Sequence, residues 1–206
     1  MGACFSLSVE FSRYELDFDT IKMLMKYLDY AGLKFKSGYS ESANNSADEI
    51  NDWNQKKLED NYTLGYKDGR ENDYKQACFE YGGFSEIRGF FVNGSPTEKE
   101  FEFDLVIPEE EVLNEDGSYK AEAVAKLKDF ARILWIMPQI RSVQTQLELS
   151  GEMVSESEIL EGRAPSAYPF AIVSQKMFSK LDSDKYESEQ INAGGVMITP
   201  KSRNIK

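Results

Sequence analysis

Apolar and polar residues alternate along several stretches of the chain, and this period of two constrains the fold more than any other feature. It is typical of a β-strand that buries one face and exposes the other. In one of these stretches, residues 99–107, every second residue from Phe101 to Ile107 is apolar. A strand inside a parallel sheet would instead be almost continuously apolar. The pattern therefore predicts a mostly antiparallel sheet with strands over residues 3–11, 84–92, 99–107 and 142–149.

Segments with helical spacing of apolar residues lie between these strands. Such spacing over residues 19–32 and 119–138 predicts two main helices. Ser-x-x-Glu capping boxes at residues 46–49 and 155–158 predict two further helix starts. We therefore expect an α+β fold: a mostly antiparallel sheet of five or more strands, with the two main helices packed on one face.

The length of 206 residues fits one domain, and the composition does not shift toward that of a linker at any point. We expect a single α+β domain over residues 1–206. Within it, residues 37–49 form a predicted polar loop, and the basic residues of 201–206 predict a frayed end. The tyrosine-rich stretch 62–81 gives no clear assignment.

The chain contains no histidine, so Ser-His-Asp hydrolysis and histidine-ligated metal sites are excluded. It also lacks a P-loop, a Gly-x-Gly-x-x-Gly loop and a Gly-x-Ser-x-Gly elbow. We therefore expect no catalytic residue, no cofactor and no metal, in a protein that is not an enzyme.

Cysteine content and the ends of the chain indicate the compartment. Two cysteines, Cys4 and Cys78, are too few for a disulfide scaffold, which favours a reducing cytoplasm. No apolar run reaches the roughly 18 residues of a membrane-spanning helix. A myristoylation pattern over residues 1–6 overlaps the first predicted strand, and we prefer the strand. We expect a cytoplasmic protein with no membrane partner.

The net charge of −12 disfavours direct binding to nucleic acid. Two segments hold this charge. Residues 98–116 carry nine acids and Lys99, which gives −8, and residues 148–162 carry five acids and no base, which gives −5, so the rest of the chain sums to +1. The acidic residues that we predict to bind a partner are Glu98, Glu100, Glu102, Asp104, Glu109, Glu110, Glu111, Glu148, Glu152, Glu156, Glu158 and Glu161.

The first four of these acids, Glu98 to Asp104, share one face of a predicted strand because they alternate with apolar residues. Same-face residues lie about 6.6 Å apart, so the like charges repel each other. One interpretation is a solvated sheet face whose charges deter edge pairing. The other is a surface that attracts a basic protein.

Two other hypotheses, both of them enzymatic, remain as alternatives to a binding protein. A hydrolase can work with an Asp/Glu pair alone, and the chain has 36 acidic residues. The pairs Asp17-x-Asp19 and Asp182-x-Asp184 have the residue types of an oxygen-ligand metal site. Both pairs lie where a turn or helix cap is expected, and capping is the preferred explanation.

In size, acidity and α+β pattern the chain resembles the immunity proteins of bacterial polymorphic and contact-dependent toxin systems. The acidic strand Glu98–Asp104 and the run Tyr168–Ser174 share in this resemblance. It implies a small cytoplasmic inhibitor that binds a toxin domain, often a basic nuclease. Since such proteins differ in fold, the resemblance assigns no functional residue. An acidic nucleic-acid-mimic inhibitor would share these features.

Overall fold

A computed structural model of the chain describes residues 3–12, 16, 19–60, 74–93, 100–148 and 153–201. Nine strands in these residues form one sheet, and all neighbouring strands are antiparallel. The strands are β1 (Cys4–Ser12), β2 (Lys34–Gly38), β3 (Ala77–Glu80), β4 (Ile87–Asn93), β5 (Glu100–Pro108), β6 (Ile140–Leu147), β7 (Ala171–Ser174), β8 (Tyr186–Gln190) and β9 (Gly195–Pro200). Their spatial order is β2-β3-β4-β5-β1-β6-β7-β9-β8, which confirms the predicted α+β class and antiparallel sheet.

Six α-helices complete the described fold: α1 (Thr20–Tyr30), α2 (Ala47–Glu59), α3 (Glu109–Val112), α4 (Ala121–Leu134), α5 (Glu156–Leu160) and α6 (Gln175–Phe178). Both predicted capping boxes are confirmed, at the starts of α2 and α5. Helix α1 ends just before Gly32, whose φ of +94° suits glycine. Helix α4 begins at Ala121 and ends at Leu134, so it is shorter than the helical spacing over residues 119–138 predicts.

The main core lies on one face of the sheet. It unites Phe5 of β1 and Phe103 of β5 with Leu24 of α1 and Phe130 of α4. Three long helices contribute to this core, so the prediction of two main helices was incomplete. The sequence predicted the start of α2 but did not identify it as a main helix, because its buried side consists mostly of Asn and Gln rather than of apolar residues.

The polar side chains of α2 bind backbone instead of packing apolar surface. Gln55 accepts a hydrogen bond from the amide of Ile21 at the start of α1, over 3.0 Å. Asn54 exchanges two hydrogen bonds with the backbone of Lys75, at 2.7 and 2.9 Å. The bond to Gln55 pairs an amide in the first turn of α1 that has no partner within its own helix. The bonds of Asn54 hold the segment that leads into β3.

In the described part of the chain, the opposite face of the sheet is covered at one end. In β7, Ile172 faces the main core, while Ala171 and Val173 face the other way. Val173 packs there with Ile159 of α5 and Met177 of α6. The two short helices therefore cover the β6–β7–β9 end of this second face.

Other predictions about loops are corrected or fall outside the described residues. The predicted polar loop 37–49 is shorter, because β2 extends to Gly38 and a 3-10 helix spans Ser40–Ser42. The hydroxyl of Ser42 pins this turn by hydrogen bonds to the carbonyls of Tyr39 and Gln76, both 2.7 Å. The tyrosine-rich stretch contains β3, and its residues 62–73 lie outside the described residues, as do residues 94–99 and residues 202–206 of the basic tail.

No helix in the described part of the chain is long and apolar enough to cross a membrane.

Candidate functional site

The side chains of β1 and β5 divide between two different environments. Those that point to one face, such as Phe5 and Phe103, belong to the main core. Those that point to the other face are mostly polar or charged. We call this second face, over strands β4, β5, β1 and β6, the polar face. It carries Arg88, Phe90, Val92, Glu102, Asp104, Val106, Ser6, Ser8, Glu10, Ser142, Gln144 and Gln146.

Among the described residues, the polar face is part-exposed over β4 and β5 and covered over β6. Phe90, Val106 and Asp104 are each part-exposed. Over β6, by contrast, the segment 153–166 lies on the sheet. Gln144, only 1% exposed, holds this segment by hydrogen bonds with the backbone of Val154 and Ser166. The open part and the covering segment meet along β1.

The predicted alternation of β5 is confirmed where side chains are described. Glu102 and Asp104 lie on the polar face, and the phenylalanines between and before them are buried in the core. Glu98 lies outside the described residues; Glu100 is part of β5, but its side chain is not described. Strand β5 lies between β4 and β1, so these charges do not protect a sheet edge.

Glu10 connects the two acidic segments, and sequence reasoning missed it. Its Cα pairs with that of Glu102 across β1 and β5. Its carboxylate accepts a hydrogen bond from the backbone amide of Glu156 at 2.8 Å and one from the Ser142 hydroxyl at 2.7 Å. A buried carboxylate needs such charge-assisted bonds to be tolerated. Residues 98–116 and 148–162 thus meet on one face of the molecule.

The three consecutive acids of α3 follow the end of β5. The amide of Glu109 donates to the Ala3 carbonyl at 3.0 Å, which places it beside the start of β1. Glu110 is exposed. The Glu111 carboxylate accepts hydrogen bonds from the amide and hydroxyl of Ser85, so it joins α3 to the segment before β4. Glu110 is therefore the most exposed acid of the three.

Residues of the second acidic segment divide between the polar face and local roles. Glu148 accepts a hydrogen bond from the Cys4 amide at 3.1 Å, next to the start of β1. Glu156 lies beside Glu10 and forms an ion pair with Arg141 at 3.8 Å. These two acids border the polar face at different ends.

The other acids of this segment lie farther along the chain. Glu158 completes the capping box of α5 and forms an ion pair with Arg163. These bonds hold the pKa of its carboxyl below the usual range, with the bond from the Ser155 amide as the largest cause. Glu161 is exposed at the end of α5, and Glu152 lies outside the described residues. Part of the predicted patch thus has a structural role.

The electrostatic environment of Asp104 differs from that of an ordinary surface acid. Burial raises the pKa of its carboxyl to about 6, and a hydrogen bond with the Ser8 side chain only partly offsets this. Its Oδ1 is buried without a hydrogen-bond partner. Desolvation disfavours the charged form, so Asp104 holds its proton to higher pH than an ordinary aspartate does.

The potential near the start of β1 is also negative. Burial raises the pKa of the Cys4 thiol, and the nearby charge of Glu148 raises it further, against an opposing effect of Arg88. Glu109 and Glu86 act in the same direction as Glu148. Like charges disfavour ionisation of a thiol. The acidic character of the polar face therefore extends to this end.

The described residues do not place three Cys, Asp or Glu side chains where they could hold a metal ion. In the Asp182-x-Asp184 pair, the Asp182 carboxylate accepts from the amide of Asp184 at 3.3 Å, as expected for a cap; Asp17 lies outside the described residues. A surface pocket of about 400 Å³ lies between Gly32, Tyr81 and Phe84. Its one carboxylate, Glu80, forms an ion pair with Lys36 at 3.8 Å.

The sequence signal for the rest of the polar face is weak. Arg88 and Gln146 join the face only through the strand order β4-β5-β1-β6. Nothing in the first strand distinguishes Glu10 from an exposed acid, because its burial depends on α5, which comes 146 residues later. Local patterns therefore find the acids of β5 and not their neighbours.

No protein-family model matches this chain, and a comparison with curated proteins finds no significant similarity.

Proposed function

We propose that this chain is an immunity-type binding protein, whose polar face binds and neutralises a basic protein in the bacterial cytoplasm. The observation that supports it best is the meeting of the two acidic segments. Glu10 pairs with Glu102 on one side and binds the amide of Glu156 on the other. Both concentrations of negative charge therefore contribute to a single surface.

The polar face also has apolar area to offer a partner. Phe90, Val92 and Val106 are part-exposed on β4 and β5, among the charged residues. Apolar contact supplies much of the affinity of a protein interface, while complementary charge supplies specificity and a fast association rate. A face with both features suits a protein partner better than a small ion.

Two features of the charged residues on the polar face lower the stability of the folded state. Glu10 and Glu102 are directly opposite across two strands, where like charges destabilise a sheet. Asp104, two residues from Glu102, leaves a buried oxygen unpaired. The unpaired oxygen of Asp104 costs stability with no hydrogen bond in return, and residues of that kind are often kept for function. A basic partner would neutralise this charge.

The experiment compares capture of a partner by variants of the full-length protein. In Glu102→Lys the polar face loses its negative centre, while Glu187→Lys changes an exposed acid of the edge strand β8. We expect a protein from the native organism to bind the parent and E187K but not E102K, with an association rate that falls as salt rises. Thermal unfolding of both variants confirms that they are folded. A partner that binds E102K as well as the parent, without salt dependence, would overturn the proposal.

A hydrolase that uses a carboxylate pair is the second candidate, because one observation favours it. Asp104, with its pKa raised to about 6, lies on the same face as Glu102 and Glu10, and glycosidases need one protonated and one ionised carboxyl. Release of sugar from a polysaccharide panel by the parent, abolished in D104N, would support this function. If the chain is a binding protein and not a hydrolase, neither the parent nor D104N releases sugar.

A further inference from the structure

Three polar atoms of the polar face are buried without a hydrogen-bond partner. They are Oδ1 of Asp104, Oε1 of Gln146 and Nε of Arg88. Each unpaired buried atom costs part of the free energy of folding. The three residues as a whole are part-exposed, although these three atoms are shielded from solvent, so a partner meets the exposed part of each side chain and reaches the shielded atom once that side chain rotates. They offer two acceptors and one donor.

Strand register places these three residues in two adjacent rows of the polar face. Asp104 is paired with Phe90 on β4 and with Ser8 on β1. Arg88 and Gln146 lie one same-face step farther along, in the row that crosses Val106 and Ser6. Same-face neighbours in a strand are about 6.6 Å apart, and adjacent strands are about 4.8 Å apart. One extended peptide can span these distances.

Arg88 does not neutralise Asp104, although both lie on this face. Its guanidinium lies 4.7 Å from the centre of the Tyr39 ring and 5.9 Å from that of Phe90. Among the residues that the structure describes, no cation lies within 4 Å of the Asp104 carboxyl. Arg88 thus lies against aromatic rings, and the described residues give the Asp104 carboxyl no ion-pair partner.

We propose that Asp104 is the centre of a subsite for an arginine side chain of the basic partner, with a partner carbonyl bound to Arg88. This rests on the function proposed above and names the group that the polar face recognises. A guanidinium can give hydrogen bonds to a shielded carboxylate and still pack its flat face on Phe90 or Val106. An ammonium is hydrated more strongly and suits this half-apolar site less well.

The charged groups that face the subsite are Glu102 on β5, Glu10 on β1 and Arg88 on β4. The two acids add attraction for a cation and Arg88 opposes it. Because the burial of Asp104 raises its pKa to about 6, part of the population is protonated at that pH. Arginine binds the ionised form, so its affinity rises with pH through this range and its binding lowers the pKa of Asp104.

The test titrates the full-length protein with the peptide acetyl-(Gly-Arg)₃-amide and follows carboxyl ¹³C resonances by NMR. Matched peptides contain lysine, or citrulline, which has the shape of arginine without its charge. We expect the arginine peptide to move the Asp104 resonance and to lower its midpoint of titration, and the citrulline peptide to do neither. The variant Asp104→Asn should weaken arginine-peptide binding about tenfold, the loss typical of one charge-assisted hydrogen bond.

Asp184→Asn is the matched control, because Asp184 is exposed and far from the polar face in the sheet order. Equal binding of the arginine peptide to D104N and D184N would overturn the subsite. So would equal binding of the citrulline peptide, or no response at Asp104. Those results would leave the proposed function intact if partner capture still depends on Glu102 and on salt. If capture fails as well, both proposals are wrong.

Discussion

The carboxylate of Glu10 accepts a hydrogen bond from the backbone amide of Glu156 at 2.8 Å, although 146 residues separate the two in sequence. Glu10 is 2% exposed and also binds the hydroxyl of Ser142. Glu156 is the first residue of α5, so the carboxylate lies at the end of the helix where amides have no internal partner. This contact fixes α5 against β1 and holds the two acidic segments together.

Glu10→Gln should therefore destabilise the fold. The substitution replaces a carboxylate that accepts two hydrogen bonds with an amide that has a single acceptor oxygen. Charge-assisted bonds of this kind are worth about 1.5–3 kcal/mol, while relief of the repulsion from Glu102 returns about 0.2–1 kcal/mol. We expect a net loss of about 1–2 kcal/mol in urea unfolding. Glu161→Gln, at an exposed acid, should change little. A more stable E10Q would mean that repulsion outweighs the hydrogen bonds.

Much of the fold could be predicted from the sequence because its signals are local. Alternation identifies β1 and β5, and the Ser-x-x-Glu boxes identify the starts of α2 and α5. Strand β3 escaped prediction because it has only four residues, Ala77–Glu80, inside the tyrosine-rich stretch 62–81. A strand this short shows too few alternations to stand out and depends on its neighbours in the sheet.

The candidate site was only half predictable, because local signals show which residues share a face but not what packs on that face. The acids of β5 could be assigned to one face from their spacing alone. Whether that face is open depends on the strand order and on where segment 153–166 lies, and both depend on long-range contacts. No local pattern shows that Asp104 is shielded or that Glu10 binds α5. The two acids look equivalent in the sequence, but tertiary packing gives Glu10 a structural role and makes Asp104 a candidate binding residue.

Asp104 predicts an unusual pH dependence. A carboxyl whose pKa is raised on folding, here from 3.8 to about 6, binds its proton more tightly in the folded state. Its contribution to stability is therefore largest below pH 4, falls as the pH rises to about 6, and stays low above that. Asp104→Asn cannot titrate and should be more stable than the parent at pH 7.5. One pKa unit corresponds to about 1.4 kcal/mol, and part-exposure reduces the effect, so we expect a gain on the order of 1–2 kcal/mol.

The measurement is the difference in unfolding free energy between parent and D104N from pH 4 to pH 8. The difference is needed because other carboxyls, such as Glu49, have lowered pKa values and give the opposite slope. A gap that is constant with pH would show that Asp104 titrates normally. A variant that gains stability but loses arginine-peptide binding would show that the residue costs stability for the sake of binding.

Gly89 in β4 is required by close packing in the main core. A Cβ at this position would lie 2.7 Å from a ring carbon of Phe79 and 2.8 Å from one of Phe103. Both phenylalanines are almost fully buried, so neither ring can move into solvent. Alanine normally stabilises a strand relative to glycine, but overpacking costs about 1–3 kcal/mol. We expect Gly89→Ala to lower the unfolding free energy by that amount.

A double-mutant cycle tests the cause of this loss. Phe103→Leu removes the ring that the new methyl group would meet. Gly89→Ala should then cost at least 1 kcal/mol less in the F103L background than in the parent, an order-of-magnitude coupling for contacting residues. Additive costs would show that the overlap with Phe79, the nearer ring at 2.7 Å, causes the loss and not the overlap with Phe103.

Gln144 in β6 holds the segment that covers one side of the polar face. Its Nε2 donates to the Val154 carbonyl at 2.7 Å, and its Oε1 accepts from the amides of Val154 and Ser166 at 3.1 and 2.9 Å. Gln144→Met keeps the length of the side chain and leaves these three backbone groups unpaired. Such groups cost about 1–3 kcal/mol each when they stay buried, and local opening limits the total, so we expect a loss of about 2–4 kcal/mol.

The matched control is Gln146→Met, the same change at the next polar-face position of β6, because the Oε1 of Gln146 has no partner to lose. Hydrogen exchange should show faster exchange of the Val154 and Ser166 amides in Q144M but not in Q146M. Since α5 follows Val154 directly, the amide of Glu156 should exchange faster too, as its bond to Glu10 weakens. Equal exchange in the two variants would mean that apolar packing of Ile159 and Val173, rather than Gln144, holds the segment on the sheet.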